Sequence, residues 1–216
     1  MLSAIASLER QADAVVIDRR DTMRVILNMG GRYMLASRRD SQGNRREYAC
    51  RAADMSTRAL LLLAPVLGPV GERVIAYFGE FGTIDGKIIR TFERGFVMSI
   101  EGNDILRDKI AAKLAWIEDH RNHDTPDVRG HQRIVPRRPF SILTLANGET
   151  YTCLVMDLSI SGAAVSADVM PPIGMAVAVG SVIGRVRRHF AEGFAVAFEE
   201  VQELRTLQKR LMRAPG

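Results

Sequence analysis

The chain has 216 residues, enough for one large domain or two small ones, and its 47% apolar content is ample for packed cores. The longest apolar run, 59–70, is interrupted by Pro65, Gly68 and Pro69 and is too short to span a bilayer. The first ten residues lack the basic region and apolar core of a secretory signal, so a cytoplasmic protein is expected.

The net charge of +5 says less than its make-up, because only four of the thirty basic residues are lysines. Arginine presents a planar fork that grips phosphate or the edge of guanine with two hydrogen bonds. For most of these arginines compositional bias is a sufficient explanation, so clustering must single out the rest.

In chain order, residues 2–14 are weakly helical and Val15–Ile17 is strand-like. Arg20 and Arg24 follow, four apart. Val25–Leu27 and Tyr33–Leu35 read as short strands separated by a turn at Gly30-Gly31, and 38–46 reads as a polar loop. The next segment, Tyr48-x-Cys50-x-x-x-Asp54-x-Ser56, recurs later as Tyr151-x-Cys153-x-x-x-Asp157-x-Ser159. A second block, Gly86 to Met98, recurs as Gly184 to Val196, with turns placed at Gly95 and Gly193. The Arg-x-x-x-Arg pair recurs too, as Arg133 and Arg137. Three matched blocks in one order argue for a duplicated unit.

Each copy ends in a helical pattern. The first has Leu106, Ile110, Leu114 and Ile117 at helical spacing behind the capping candidates Asn103 and Asp104; the second runs from Val201 to Met212. In both, a stripe packed on the chain's own core is the favoured reading over a partner surface. The expected organisation is an N-terminal unit over 1–118, a polar linker over 119–130 and a C-terminal unit over 131–216. Many short strands with glycine-rich turns, then a helix, make each unit a small antiparallel β-barrel. Cys50 and Cys153 lie in strand-like runs without a CxxC partner, so buried free thiols are expected and a zinc site is not.

The second unit carries Arg133-x-x-x-Arg137, then Arg138 and Pro139, then Asp157-x-Ser159-x-x-Gly162. This conjunction resembles the PilZ family, whose signature is RxxxR followed by (D/N)xSxxG. The resemblance spans nearly the whole chain as two units and implies a six-stranded barrel with an accompanying helix in each. It also implies a ligand, cyclic di-GMP, and no cofactor. It places Arg133 and Arg137 on the ligand, with Arg138 and Arg129 as neighbours. Asp157, an acceptor when ionised, suits the guanine N1–H and N2–H₂ donors; Ser159 can donate to phosphate, and Gly162 allows a tight turn or close approach. Each residue alone has a plain structural reading as solvated arginine, turn former or turn glycine, and only their conjunction is specific.

Arg20, Arg24, Asp54 and Ser56 form a possible second site in the first copy, but Ala59 stands where the second copy has Gly162. If that position needs a positive φ, alanine would cost about 1–2 kcal/mol. A degenerate first copy is therefore expected.

The resemblance implies a signalling receptor that couples ligand binding to domain arrangement and a downstream protein partner, in motility, polysaccharide or virulence control, and it leaves room for a homodimer. The competing reading is a basic tandem barrel that binds nucleic acid or serves as an adaptor. The 6% aromatic content offers no stacking platform for single strands, which argues against nucleic acid. No phosphate-binding loop, nucleophile elbow or HExxH motif marks an enzyme. His120, His123 and His131 read as solvated linker residues and His189 as a strand-surface residue.

Overall fold

The computed structural model describes residues 24–40, 42–120, 134–136 and 138–211. Arg20, Arg129, Arg133, Arg137, His123, His131, the expected 2–14 helix and nearly all of the linker lie outside these residues.

The first barrel comprises β1 (Val25–Arg39), β2 (Arg45–Met55), β3 (Ala59–Leu63), β4 (Arg73–Phe78), β5 (Gly82–Phe92) and β6 (Gly95–Ser99), followed by α1 (Asp104–Asp119). The second comprises β7 (Phe140–Leu145), β8 (Thr150–Ser159), β9 (Gly162–Ala167), β10 (Ala176–Val179), β11 (Val182–Phe190) and β12 (Gly193–Phe198), followed by α2 (Leu204–Leu211). Both are closed, six-stranded and antiparallel, with the orders β1-β2-β3-β6-β5-β4 and β7-β8-β9-β12-β11-β10. The two orders are the same connectivity, so the sequence repeat is a repeat of fold.

The repeat extends to its irregularities. β2 is bulged between Ala52 and Asp54, and β8 between Val155 and Asp157. β5 is bulged between Ile88 and Arg90, and β11 between Val186 and Arg188. Cys153 and Val155 point into the core, and strict alternation would send Asp157 after them. The extra residue at Met156 resets the phase: Leu158 becomes the next core residue, and Asp157 and Ser159 face outward.

One expectation about β1 needs correcting. Val25–Leu27 and Tyr33–Leu35 belong to one 15-residue strand, and Gly30-Gly31 is no turn. Gly31 is there for closeness: a Cβ on it would come within 2.4 Å of the Phe78 ring. In the polar 38–46 segment the described residues 40 and 42–44 form the expected loop, and the strands run into it as far as Arg39 and from Arg45. Gly95 and Gly193 also lie outside their turns, as the first residues of β6 and β12. A Cβ there would meet the Leu62 carbonyl oxygen at 2.0 Å and the Val165 oxygen at 2.1 Å, respectively.

Each barrel has its own apolar core, with Cys50 buried as a free thiol in one and Cys153 in the other. α1 starts where the Asn103 side chain accepts from the Leu106 N–H at 3.0 Å. It buries Ile110 and Leu114 on the first barrel, with Leu106 and Ile117 packed beside them. α2 buries Leu207 and Leu211 on the second. Its C-terminal carbonyls are received by the barrel: Ser181 N–H donates to the Arg210 oxygen at 2.9 Å, and the Ser141 hydroxyl donates to the Leu211 oxygen.

The barrels meet where β2 lies against β8, β9 and β12. Asp168 is the polar hub of the contact. It accepts from the Tyr48 hydroxyl at 2.8 Å and pairs with Arg38 at 3.3 Å and Arg46 at 3.5 Å. The Ala49 N–H donates to the Ser166 hydroxyl at 3.0 Å, and the Arg51 guanidinium to the Pro136 carbonyl at 2.9 Å. Ala49, Phe140 and Leu154 form a small apolar cluster between these bonds. No helix among the described residues is long and apolar enough to cross a membrane.

Candidate functional site

The site is built on β8. Residues 134–136 and 138–139, the described part of an arch beside β8, are tied to it at two points. Ile134 forms a bridge with Leu158, donating to its carbonyl at 2.8 Å and accepting from its N–H at 3.0 Å. At the other end the Pro139 carbonyl accepts from Val155 N–H at 2.6 Å. Leu158 is the residue between Asp157 and Ser159, so the segment carrying the arginine motif is paired with the strand at the centre of the acidic motif. Arg138 is exposed and Pro136 buried.

From Asp157 the outer face continues across three further strands. Directly opposed residues in an antiparallel ladder share a face. One row runs Asp157, Ala164, Ala195, Arg188; the next runs Ser159, Gly162, Ala197, Arg185. Between the acid and hydroxyl on β8 and the arginines on β11, nothing larger than a methyl group stands on the sheet. Arg185 pairs with Glu199 at 3.3 Å.

In the first barrel the corresponding row is Asp54, Leu61, Val97, Arg90. Leucine and valine stand where the second barrel has Ala164 and Ala195. The Arg24 fork is closed on Asp54, with Nε to Oδ1 and Nη2 to Oδ2 both at 3.2 Å. Arg24 also leads straight into β1, whose ladder with β2 starts at the Val25–Met55 pair. Val25 opposite Met55 in the first copy and Ile134 opposite Leu158 in the second occupy matching places, each facing the residue that follows the motif aspartate.

The serines hold their own turns. Ser56 accepts from the Ala59 N–H at 3.1 Å, and Ser159 makes longer contacts with Ser161 N–H and the Gly162 carbonyl, both at 3.4 Å. Gly162 does not have a positive φ. A Cβ there would come 2.5 Å from the Val196 carbonyl oxygen, so close approach between β9 and β12 is what requires glycine. The backbone penalty considered for Ala59 therefore does not arise; the first barrel simply leaves room for that methyl group.

Two residues near the site escape motif reading. Arg188 enters the row because β11 is bulged, and its only sequence signal is its match to Arg90 in the repeat. Arg51 reaches the arch from the other barrel, and a charged residue inside the strand-like Tyr48–Ala53 run was its only trace. The other candidates have local roles. The His120 ring stacks on Trp116 at 4.5 Å between centroids, and the His189 Nε2 donates to the Pro171 carbonyl at 2.8 Å. Among the described residues no group of three or more His, Cys, Asp or Glu side chains could hold a metal ion.

No protein-family model and no curated protein matches the sequence. Among solved structures, the chain is similar to the PlzA protein of Borreliella burgdorferi in complex with c-di-GMP, at 12% identity and a TM-score of 0.28, covering 96% of this chain and 98% of that one. It is also similar to the inhibitor of motility MotI/DgrA of Bacillus subtilis, at 12% identity and a TM-score of 0.29, covering 87% and 94%. A third is YcgR of Escherichia coli in complex with c-di-GMP, at 10% identity and a TM-score of 0.23, covering 85% and 80%. Similarity at this level carries no weight for ligand or mechanism.

Proposed function

We propose that the chain is a receptor for cyclic di-GMP whose working site is on the second barrel. The observation that supports this is the pairing of Ile134, within the Arg133-x-x-x-Arg137 segment, with Leu158 of the Asp157-x-Ser159 strand. A dinucleotide with two phosphates and two guanines needs both kinds of group. Arg133, Arg137 and Arg138 serve phosphates and the guanine O6 and N7 acceptors. Asp157 takes the guanine N1–H and N2–H₂ donors, and Ser159 offers its hydroxyl beside Gly162. The methyl-only floor beside Asp157 suits a flat base lying on the sheet. In the first barrel Leu61 and Val97 stand where the second has alanines, which supports a degenerate copy in which Arg20, Arg24, Asp54 and Ser56 do not form a second ligand site.

In this reading the units are 1–118 and 131–216, joined by the linker 119–130, and the arginine segment directly follows the linker. Ligand binding then changes how the barrels are held and is relayed to a downstream protein. Calorimetric titration with cyclic di-GMP tests the assignment. Micromolar binding by the wild type that is lost in both Arg137→Ala and Asp157→Ala supports it. No binding, or binding unchanged in either variant, contradicts it.

A further inference from the structure

Arg51 on β2 is 5% exposed, yet no carboxylate among the described residues pairs with it. Burial makes its charged form less favourable than that of an ordinary arginine. A cation buried against one neutral acceptor is an unusual thing for a barrel to keep. The second barrel shows that the fold does not need it: the residue matching Arg51 in the repeat is Leu154, buried in the apolar contact with Phe140 and Ala49. What Arg51 does that leucine cannot is reach across to the arch.

The arch needs such a hand. Pro136 and Pro139 have no N–H, so they cannot donate to a ladder. β8 holds the two ends through Ile134 and Pro139. The middle is held from the first barrel, by the Arg51 Nη1 donor on the Pro136 carbonyl at 2.9 Å.

We infer that Arg51 is a positioning residue for the dinucleotide site, contributed by the first barrel: it holds the Pro136 carbonyl, and with it the described part of the segment that carries the Arg133-x-x-x-Arg137 motif. The inference rests on the receptor reading given above. It makes the second barrel's affinity depend on a contact that any shift between the barrels would break, so ligand and barrel arrangement are linked through one hydrogen bond. The Asp168 hub, by contrast, joins the barrels without touching the arch.

The test is carried out on the full chain with two readouts. Cyclic di-GMP affinity is measured calorimetrically for wild type, Arg51→Ala, Arg51→Leu, Arg51→Lys and Tyr48→Phe, with Arg137→Ala as the control for the site itself. Amide exchange of a peptide spanning 134–139 is followed without ligand. Arg51→Ala and Arg51→Leu are expected to weaken binding by about tenfold to a hundredfold, the range for a hydrogen bond to a charged group. They are also expected to speed exchange over 134–139, and Arg51→Lys to recover part of both. Arg51→Leu keeps the apolar packing that Leu154 shows to be compatible with the strand, so it covers the case in which the alanine variant does not fold. Tyr48→Phe removes a bond of the Asp168 hub and should leave affinity unchanged within about twofold. Wild-type affinity in Arg51→Leu, unchanged exchange, or an equal loss in Tyr48→Phe would overturn the inference while leaving the receptor reading intact. No binding by the wild type would overturn both.

Discussion

Gly162 shows how a single residue can carry two readings that only coordinates separate. In the sequence it is the last letter of a ligand motif. In the fold its hydrogen faces the Val196 carbonyl, 2.5 Å from where a Cβ would sit. Gly162→Ala is therefore expected to destabilise the protein by about 1–3 kcal/mol, as overpacking does, measured by urea denaturation. Equal stability would show that β9 and β12 can part at no cost. The cysteines make a second prediction at this scale. Burial pushes the Cys153 thiol up to about 12 and raises Cys50 likewise. Neither forms appreciable thiolate at pH 8, so a chromogenic disulfide reagent should find no reactive thiol in the native protein and two after unfolding. Rapid reaction of one thiol in the native state would contradict the burial described here.

At the scale of elements, what the sequence disclosed and what it hid follow different physics. Helix α1 was legible because the Leu106, Ile110, Leu114, Ile117 stripe and the Asn103 cap are local signals. The repeat was legible because Tyr, Cys, Asp and Ser recur at one offset. The bulges at Met156 and before Arg188 were not, since a bulge is set by the partner strand's register and leaves no fixed residue type. The Gly30-Gly31 pair misled for a related reason: glycine marks both turns and close approaches, and Phe78, which decides between them, is distant in sequence. The alanine floor was hidden because it comprises one residue from each of two strands. It yields a prediction. Ala195→Val, which installs the residue that the first barrel has at Val97, should weaken cyclic di-GMP binding by at least about tenfold while changing stability by less than about 1 kcal/mol. Unaltered affinity would mean that the base does not lie on this face. For the helices, Leu114→Ala should cost about 2–5 kcal/mol and Ile105→Ala, on the exposed side, less than about 0.5 kcal/mol.

At the scale of the molecule, the two barrels are alike in connectivity and differ in the side chains of the outer row beside the motif aspartate. In the first barrel Arg24 pairs with Asp54 and the row beside it carries Leu61 and Val97; in the second that row carries Ala164 and Ala195. In the proposed receptor the first copy supports the second through the contacts of Tyr48, Ala49 and Arg51. The linkage through Asp168 should appear as energetic coupling. A double-mutant cycle of Tyr48→Phe and Asp168→Ala is expected to give about 1.5–3 kcal/mol, the range for a hydrogen bond to a charged group. Additive effects would show that the hub does not join the barrels in solution.

The central claim is that one copy of the duplicated motif works and the other does not. Binding stoichiometry decides it most directly. Calorimetric titration of the full chain with cyclic di-GMP should keep the same number of bound ligands and the same affinity in Asp54→Ala as in wild type, and lose binding in Asp157→Ala. A stoichiometry halved by Asp54→Ala, or binding that persists in Asp157→Ala, would contradict the account.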